Sequence, residues 1–147
     1  MTFFVDRSLG RRIVPSALRD AGYDVAIHDD IFAADAHDEV WLAEAGRRGW
    51  IVLMKDDRIR YRPRERAALE AAGVQAFALT NANMTGEEQA HLLRTHATRI
   101  ERLCAERPGP FVVGVYRERP FLRPLYPQRT LRRRRRRSRK RGGPERL

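Results

Sequence analysis

Apolar residues in this chain fall into short unbroken runs, separated by longer stretches with helical spacing. Phe3 to Val5, Tyr23 to His28, Trp50 to Met54, Gln75 to Thr80 and Phe111 to Tyr116 are continuous Val/Ile/Phe-rich runs. Runs without polar alternation predict strands covered on both faces, the habit of a parallel sheet. The first intervening helix has Pro15 early and Gly22 just past its end, a common pairing of helix punctuation. Pro15 also predicts a short turn over Leu9 to Ile13 ahead of the helix proper. A second helix is predicted from Asp38 to Arg48, ending at Gly49, and a third from Pro63 to Ala72, stopped by Gly73. The fourth opens with Thr85-Gly86-Glu87-Glu88, which fits a capping box. Leu92, His96, Ile100 and Leu103 recur on one face of it. This succession predicts an α/β domain with a mostly parallel central sheet of about five strands, flanked by helices on both faces.

Past Glu118 the pattern changes to Pro120, Pro124 and Pro127, then Arg132 to Arg137. The expected organisation is one domain over residues 1–117, followed over 118–147 by a Pro-containing linker and a disordered Arg-rich tail. From Arg129 onward there are eleven basic residues and one acid, Glu145, so the tail carries ten of the eleven net positive charges. The body is nearly neutral, and the basicity belongs to a separate device.

At 147 residues the chain is long enough to bury a real core. Its start reaches Asp6 and Arg7 before any useful apolar stretch, so no signal peptide is expected, and nothing approaches a membrane-spanning run. The lone Cys104 excludes an intrachain disulfide and a cysteine zinc cluster. The cytoplasm is the expected location.

The candidate chemistry is acidic. Asp6 closes the first apolar run and Asp56 the third. In an open α/β sheet, ligands bind in the crevice at the carboxyl ends of the strands. Strand ends and helix starts face the same edge, so Asp6, Asp56 and Asp38 can meet there, with Asp57 beside Asp56. Carboxylates converging without His or Cys suit Mg²⁺ or Mn²⁺ rather than zinc. Such ions activate water and stabilise a phosphodiester transition state, sometimes as a pair.

Each acid also has a plain structural role to offer. Asp38 is a good N-cap or first-turn residue, worth about 1 kcal/mol to its helix. Asp56-Asp57 could start a turn, and Asp29-Asp30 reads as an exposed loop. Asp6 is hardest to dismiss, since Arg7 and Ser8 would serve a turn equally well. His28, His37, His91 and His96 have no metal-ligand spacing, Trp41 and Trp50 read as core, and Ser8 has no matching His for a nucleophile system. Neither G-x-G-x-x-G nor G-x-x-x-x-G-K-[ST] follows the first strand, which removes the main support for dinucleotide and P-loop readings. A phosphoacceptor receiver would want an acidic pair near the first strand and a Lys ending the fifth. Here those places hold Asp6-Arg7 and Tyr116-Arg117.

The segments 3–10 (Phe-Phe-Val-Asp-Arg-Ser-Leu-Gly), Gly22 to Val25, Asp38 to Ala45 and Trp50 to Asp56, in this order and spacing, resemble the PIN-like domain family. They are most similar to its small branch related to VapC-type toxins of prokaryotic toxin–antitoxin pairs. Gly109-Pro110-Phe111 and the helix start at Thr85 are similar to this branch too. The resemblance covers roughly Thr2 to Tyr116 and excludes the tail.

It implies a metal-dependent endoribonuclease using Mg²⁺ or Mn²⁺, with an RNA substrate and a cognate antitoxin as partners, no membrane partner, and room for a homodimer. Asp6 matches the family's first-strand acid, Asp38 the acid opening the second helix, and Asp56 the acid after the third strand. The wider family often takes a fourth acid from the next strand, where this chain has Thr80-Asn81. Either Asp57 or Asp30 stands in for it, or the site holds one ion instead of two. Lys55, Arg58, Arg60, Arg62 and Arg64, with tail residues such as Arg133 and Arg135, are candidates for sequence-blind phosphate contacts. The alternative is a catalytically degenerate PIN-like module that binds nucleic acid or serves as an adaptor.

Overall fold

The computed structural model describes residues 1–55, 62–80 and 83–127. Strand β1 (Thr2–Val5) leads through a 3-10 turn (Arg7–Leu9) into helix α1 (Ile13–Asp20) and strand β2 (Asp24–Ile27). A single helical turn, α2 (His28–Ile31), precedes α3 (Asp38–Arg48), β3 (Ile51–Met54), α4 (Pro63–Ala72) and β4 (Gln75–Leu79). The chain continues through α5 (Gly86–Glu106), β5 (Phe111–Val115) and β6 (Leu122–Tyr126). The five apolar runs all form strands. Helices α3 and α4 keep their expected limits, and α5 opens with the capping box of Thr85 and Glu88 in place.

The sheet order is β2-β1-β3-β4-β5-β6, with the first five strands parallel and β6 antiparallel to β5. From β1 the chain moves outward to β2, then returns to the other side of β1 as β3. The β1/β3 boundary is therefore the topological switch point, where an open α/β sheet forms its ligand crevice.

Side-chain alternation divides the core into two layers. Phe3, Val5, Ile51, Leu53, Phe77 and Val113 pack with Leu18 of α1 and Leu93, Ala97 and Ile100 of α5. Phe4, Val52, Met54 and Ala76 pack on the other face with Trp41 and Leu42 of α3 and Leu69 of α4. Phe4 lies stacked 5.2 Å from Trp50 and 5.4 Å from Trp41, so both tryptophans are core residues. Helices α3 and α4 meet closely because Gly46 has no side chain. A Cβ there would lie 2.4 Å from Ala72 Cβ.

Two segments depart from the sequence expectation. Residues 28–31 form a helical turn rather than the end of a strand and an exposed loop. Within the segment expected to be a linker, Leu122 to Tyr126 adds a sixth strand. Pro124 argued against a strand, but an edge strand tolerates proline where a central one does not, and here it lies opposite Val113 at a shift in register. Leu122 packs on the α1/α5 core, and Leu125 and Tyr126 on the other. Because β6 is antiparallel, Tyr126 lies beside Val112. The chain thus approaches its basic tail from the amino edge of the sheet, opposite the crevice.

Candidate active site

Asp6 follows the last residue of β1, and its backbone N–H donates to Leu53 O at 3.0 Å, joining it to β3. Its side chain caps the 3-10 turn: Oδ2 accepts from Ser8 N at 3.1 Å and from Ser8 Oγ at 2.6 Å. The turn role is thus real, yet it uses one oxygen. Among the described residues, Oδ1 has no hydrogen-bond partner. Ser8 Oγ also accepts from Lys55 N–H at 3.0 Å. One hydroxyl therefore ties the exit of β3 to the carboxylate ending β1. Ser8 is a positioning group, a role that no local sequence signal announces.

Asp38 is the first residue of α3, while His37 occupies the cap position without a side-chain cap bond. Asp38 is thus a first-turn acid and not an N-cap. Its Oδ1 accepts from Trp41 Nε1 at 3.0 Å, so a core tryptophan three residues on fixes its orientation. Neighbouring Glu39 turns away to Arg64 at 3.4 Å, which engages an arginine that the sequence had offered to substrate.

Asp6 and Asp38 open on the same cleft of about 220 Å³, together with Arg7, Ser8, His28, Trp41, Met54 and Arg62. It lies at the switch point. Two carboxylates from distant segments, each anchored through one oxygen, make an oxygen-donor set suited to a hard divalent cation. Among the described residues, no three His, Cys, Asp or Glu side chains gather closely enough to hold a metal.

The other wall is built by residues that sequence reasoning missed. His28 is 2% exposed, enclosed by Phe4, Phe32 and Trp41. Its Nδ1 lies 3.0 Å from Asp29 Oδ1. That hydrogen bond, reinforced by the Arg7, His28 and Arg11 charges against a smaller opposing effect of burial, holds the Asp29 carboxyl below its ordinary range. The carboxylate can only accept, so Nδ1 carries the proton. Arg7 Nε lies 3.1 Å from Asp29 Oδ1, and its guanidinium also donates to Ala34 O at 2.9 Å. Arg7 thereby clasps the segment between β2 and α3 against the turn that bears Asp6. Asp30 faces Arg11 instead, at 3.9 Å, and does not line the cleft.

Asp56, Asp57, Arg58 and Arg60, like Arg133 and Arg135, lie outside the described residues. Lys55, tethered to Ser8 through its backbone N–H, directly precedes Asp56 in the chain. No helix among the described residues is long and apolar enough to cross a membrane.

Comparison with known proteins agrees with this arrangement. The profile of a family described as a PIN like domain matches residues 1–81, spanning β1 to β4 and both described cleft acids. The chain is 34% identical over 117 residues to "Putative ribonuclease VapC45" of Mycobacterium tuberculosis, covering 77% of this chain and 84% of that protein. No solved structure matches significantly. The switch-point cleft, the order of its acids and these two matches lead to one conclusion: the chain belongs to the PIN-like domain family, in its VapC-related branch.

Proposed function

We propose that this protein is an endoribonuclease that hydrolyses RNA phosphodiester bonds with Mg²⁺ or Mn²⁺, and that it is the toxin of a toxin–antitoxin pair. The observation that carries this reading is the convergence of Asp6 and Asp38 on one switch-point cleft, with the residue before Asp56 tied to Asp6 through Ser8. The relative's printed name as a ribonuclease supports it. Asp6, Asp38 and Asp56 would hold the ion, with Asp57 available as a further oxygen donor. A bound ion of this kind supplies Lewis acidity at a phosphoryl oxygen and ionised water near neutral pH.

The chain's own residues do the rest. Ser8 and Trp41 fix the two described carboxylates before substrate arrives, so little reorganisation is needed at the reaction. Arg62 brings positive charge to the cleft wall, and Lys55, Arg58 and Arg60 are further candidates for phosphate contacts. Arg133 and Arg135 of the basic tail would add sequence-blind affinity for RNA. The partners are RNA and a cognate antitoxin, in the cytoplasm.

The competing reading is a catalytically degenerate module that binds nucleic acid or serves as an adaptor and needs no ion at these acids. RNA cleavage with Mn²⁺ and with EDTA separates the two. Cleavage should require the ion, and Asp6→Asn or Asp56→Asn should each reduce it at least about a hundredfold, some 2.7 kcal/mol of transition-state stabilisation. Undiminished cleavage in EDTA, or in either variant, would sink the metal-nuclease reading. Failure of Mn²⁺ to bind the intact protein would favour the binding module.

A further inference from the structure

Residues 6–13 line two hollows in succession. Asp6, Arg7 and Ser8 belong to the acidic cleft. Leu9, Gly10, Arg11, Arg12 and Ile13, with Gly86 of α5, line a larger groove of about 650 Å³. The three arginines of this stretch are not equivalent. Arg7 is engaged by Asp29 and Ala34 O. Arg11 approaches Asp30 only at 3.9 Å with both side chains mostly exposed, a pairing worth little in water. Arg12 makes no side-chain hydrogen bond or ion pair with a described residue, and its backbone merely begins α1. Two exposed guanidinium groups thus lie five and six residues beyond Asp6.

The floor between them is apolar and open. Ile13 is 45% exposed. Gly86 leaves room for it, since a Cβ there would come within 2.8 Å of Ile13 Cδ1. Gly10 has a φ of +81° and open space where a side chain would project. Of the two acids that follow Gly86, Glu88 is occupied by the capping box with Thr85, and Glu87 is exposed, so the two guanidinium groups of the groove face one carboxylate at its α5 side.

We propose that this groove is the subsite for the single-stranded RNA segment flanking the scissile phosphate, with Arg11 and Arg12 on successive phosphates and Ile13 against a ribose or base. The inference rests on reading the adjoining cleft as a nuclease site. Charge complementarity selects the occupant: two exposed guanidinium groups, Arg12 without a described side-chain partner and Arg11 in a weak exposed pair, match a polyanion, and guanidinium binds phosphate oxygens in a fork. Contacts of this kind position the chain without reading its sequence.

The test uses full-length protein carrying Asp6→Asn, so that binding is measured without turnover. Affinity for a short fluorescein-labelled single-stranded RNA is followed across a salt series. Adding Arg11→Gln and Arg12→Gln together should reduce the slope of log affinity against log salt by about 1.4, two phosphates at about 0.7 each. Arg11→Lys with Arg12→Lys should retain the slope, because the charge remains. Arg99→Gln with Arg102→Gln removes the same charge from α5, at exposed positions outside the groove, and should also leave it unchanged. A Gln pair at 11 and 12 with the parental slope, or no larger an effect than the α5 pair, would overturn the proposal. So would an absence of RNA binding by the parent. If protein with intact Asp6 fails to cleave RNA in Mn²⁺ while the slope difference persists, the nuclease reading falls and the groove stands. Cleavage without any slope difference removes the groove alone.

Discussion

Ser8→Ala should separate the site's positioning from its ligands. The hydroxyl donates to Asp6 Oδ2 at 2.6 Å and accepts from Lys55 N–H at 3.0 Å, while the Asp6 cap from Ser8 N at 3.1 Å survives the substitution. A hydrogen bond to a charged group contributes about 1.5–3 kcal/mol and a neutral one about 0.5–1.5. Ser8 is exposed, so water replaces both partners and the stability cost should be only about 1 kcal/mol. Catalysis should suffer more: the Asp6 N–H bond to Leu53 O still joins the strands, but water does not restore the side-chain tether from the Asp6 carboxylate to Lys55 N–H. Misplacing Asp6 relative to Asp56 by the energy of one such bond, about 1.5–2.5 kcal/mol, lowers the rate roughly ten- to seventyfold. The assay is RNA cleavage across a Mn²⁺ titration, paired with urea unfolding. The expected result is weaker Mn²⁺ affinity and a reduced rate at unchanged unfolding cooperativity, with Ser8→Thr restoring both. Parental Mn²⁺ affinity and rate in Ser8→Ala would refute the tether, as would a rate loss matched by the unfolded fraction.

Three further outcomes follow from the same geometry. Asp38→Asn keeps an oxygen to accept from the Trp41 indole, so melting temperature should stay within a degree or two while RNA cleavage falls at least about tenfold. A fully active variant would return Asp38 to a helix-start role. Truncation after Gln128 should leave a folded body with a flatter salt dependence of RNA binding. Truncation after Arg117 also removes Leu122, Leu125 and Tyr126, three partly buried side chains, and should cost about 3 kcal/mol or more in denaturant unfolding. Equal stability of the two truncations would restore the boundary at 117. Burial, and then the Arg99 and His91 charges, push His96 below its ordinary value. The unfolded chain therefore binds this proton more readily, and stability should fall as pH drops below about 6.5, an ordinary histidine value. His96→Gln should flatten that part of the profile, and an unchanged profile would assign the acid sensitivity to other groups.

Much of this architecture was legible because burial writes itself locally. Phe3 to Val5 and Ile51 to Met54 are apolar at every position because both faces of β1 and β3 are covered, and an uninterrupted apolar run can record that. The limits of α3 and α4 were readable for a similar reason, since Gly49 and Gly73 adopt left-handed conformations that favour glycine. Strand β6 was not readable: Leu-Arg-Pro-Leu-Tyr is half-buried at an edge, and its partner β5 ends seven residues before it begins. Nothing local distinguishes such a segment from a linker until the pairing exists.

The same division runs through the site. Asp6 and Asp38 could be nominated because strand ends and helix starts share an edge in any parallel sheet, and the fold brings both to one cleft. What holds them could not be nominated. Asp38 depends on a tryptophan whose apolar character signalled only core, and Asp6 on a serine whose second partner lies 47 residues away. His28 looked like the end of a strand, yet it closes the cleft wall from within an aromatic cage, held by an aspartate that Arg7 in turn clasps. Candidate ligands are fixed by residue type and by topology, both of which the sequence carries. Their supports are fixed by side-chain reach between elements, which appears only once the sheet is assembled. For this chain the most informative substitutions are therefore at Ser8 and Arg7, where a loss of function with the acids intact would test the assembled geometry itself.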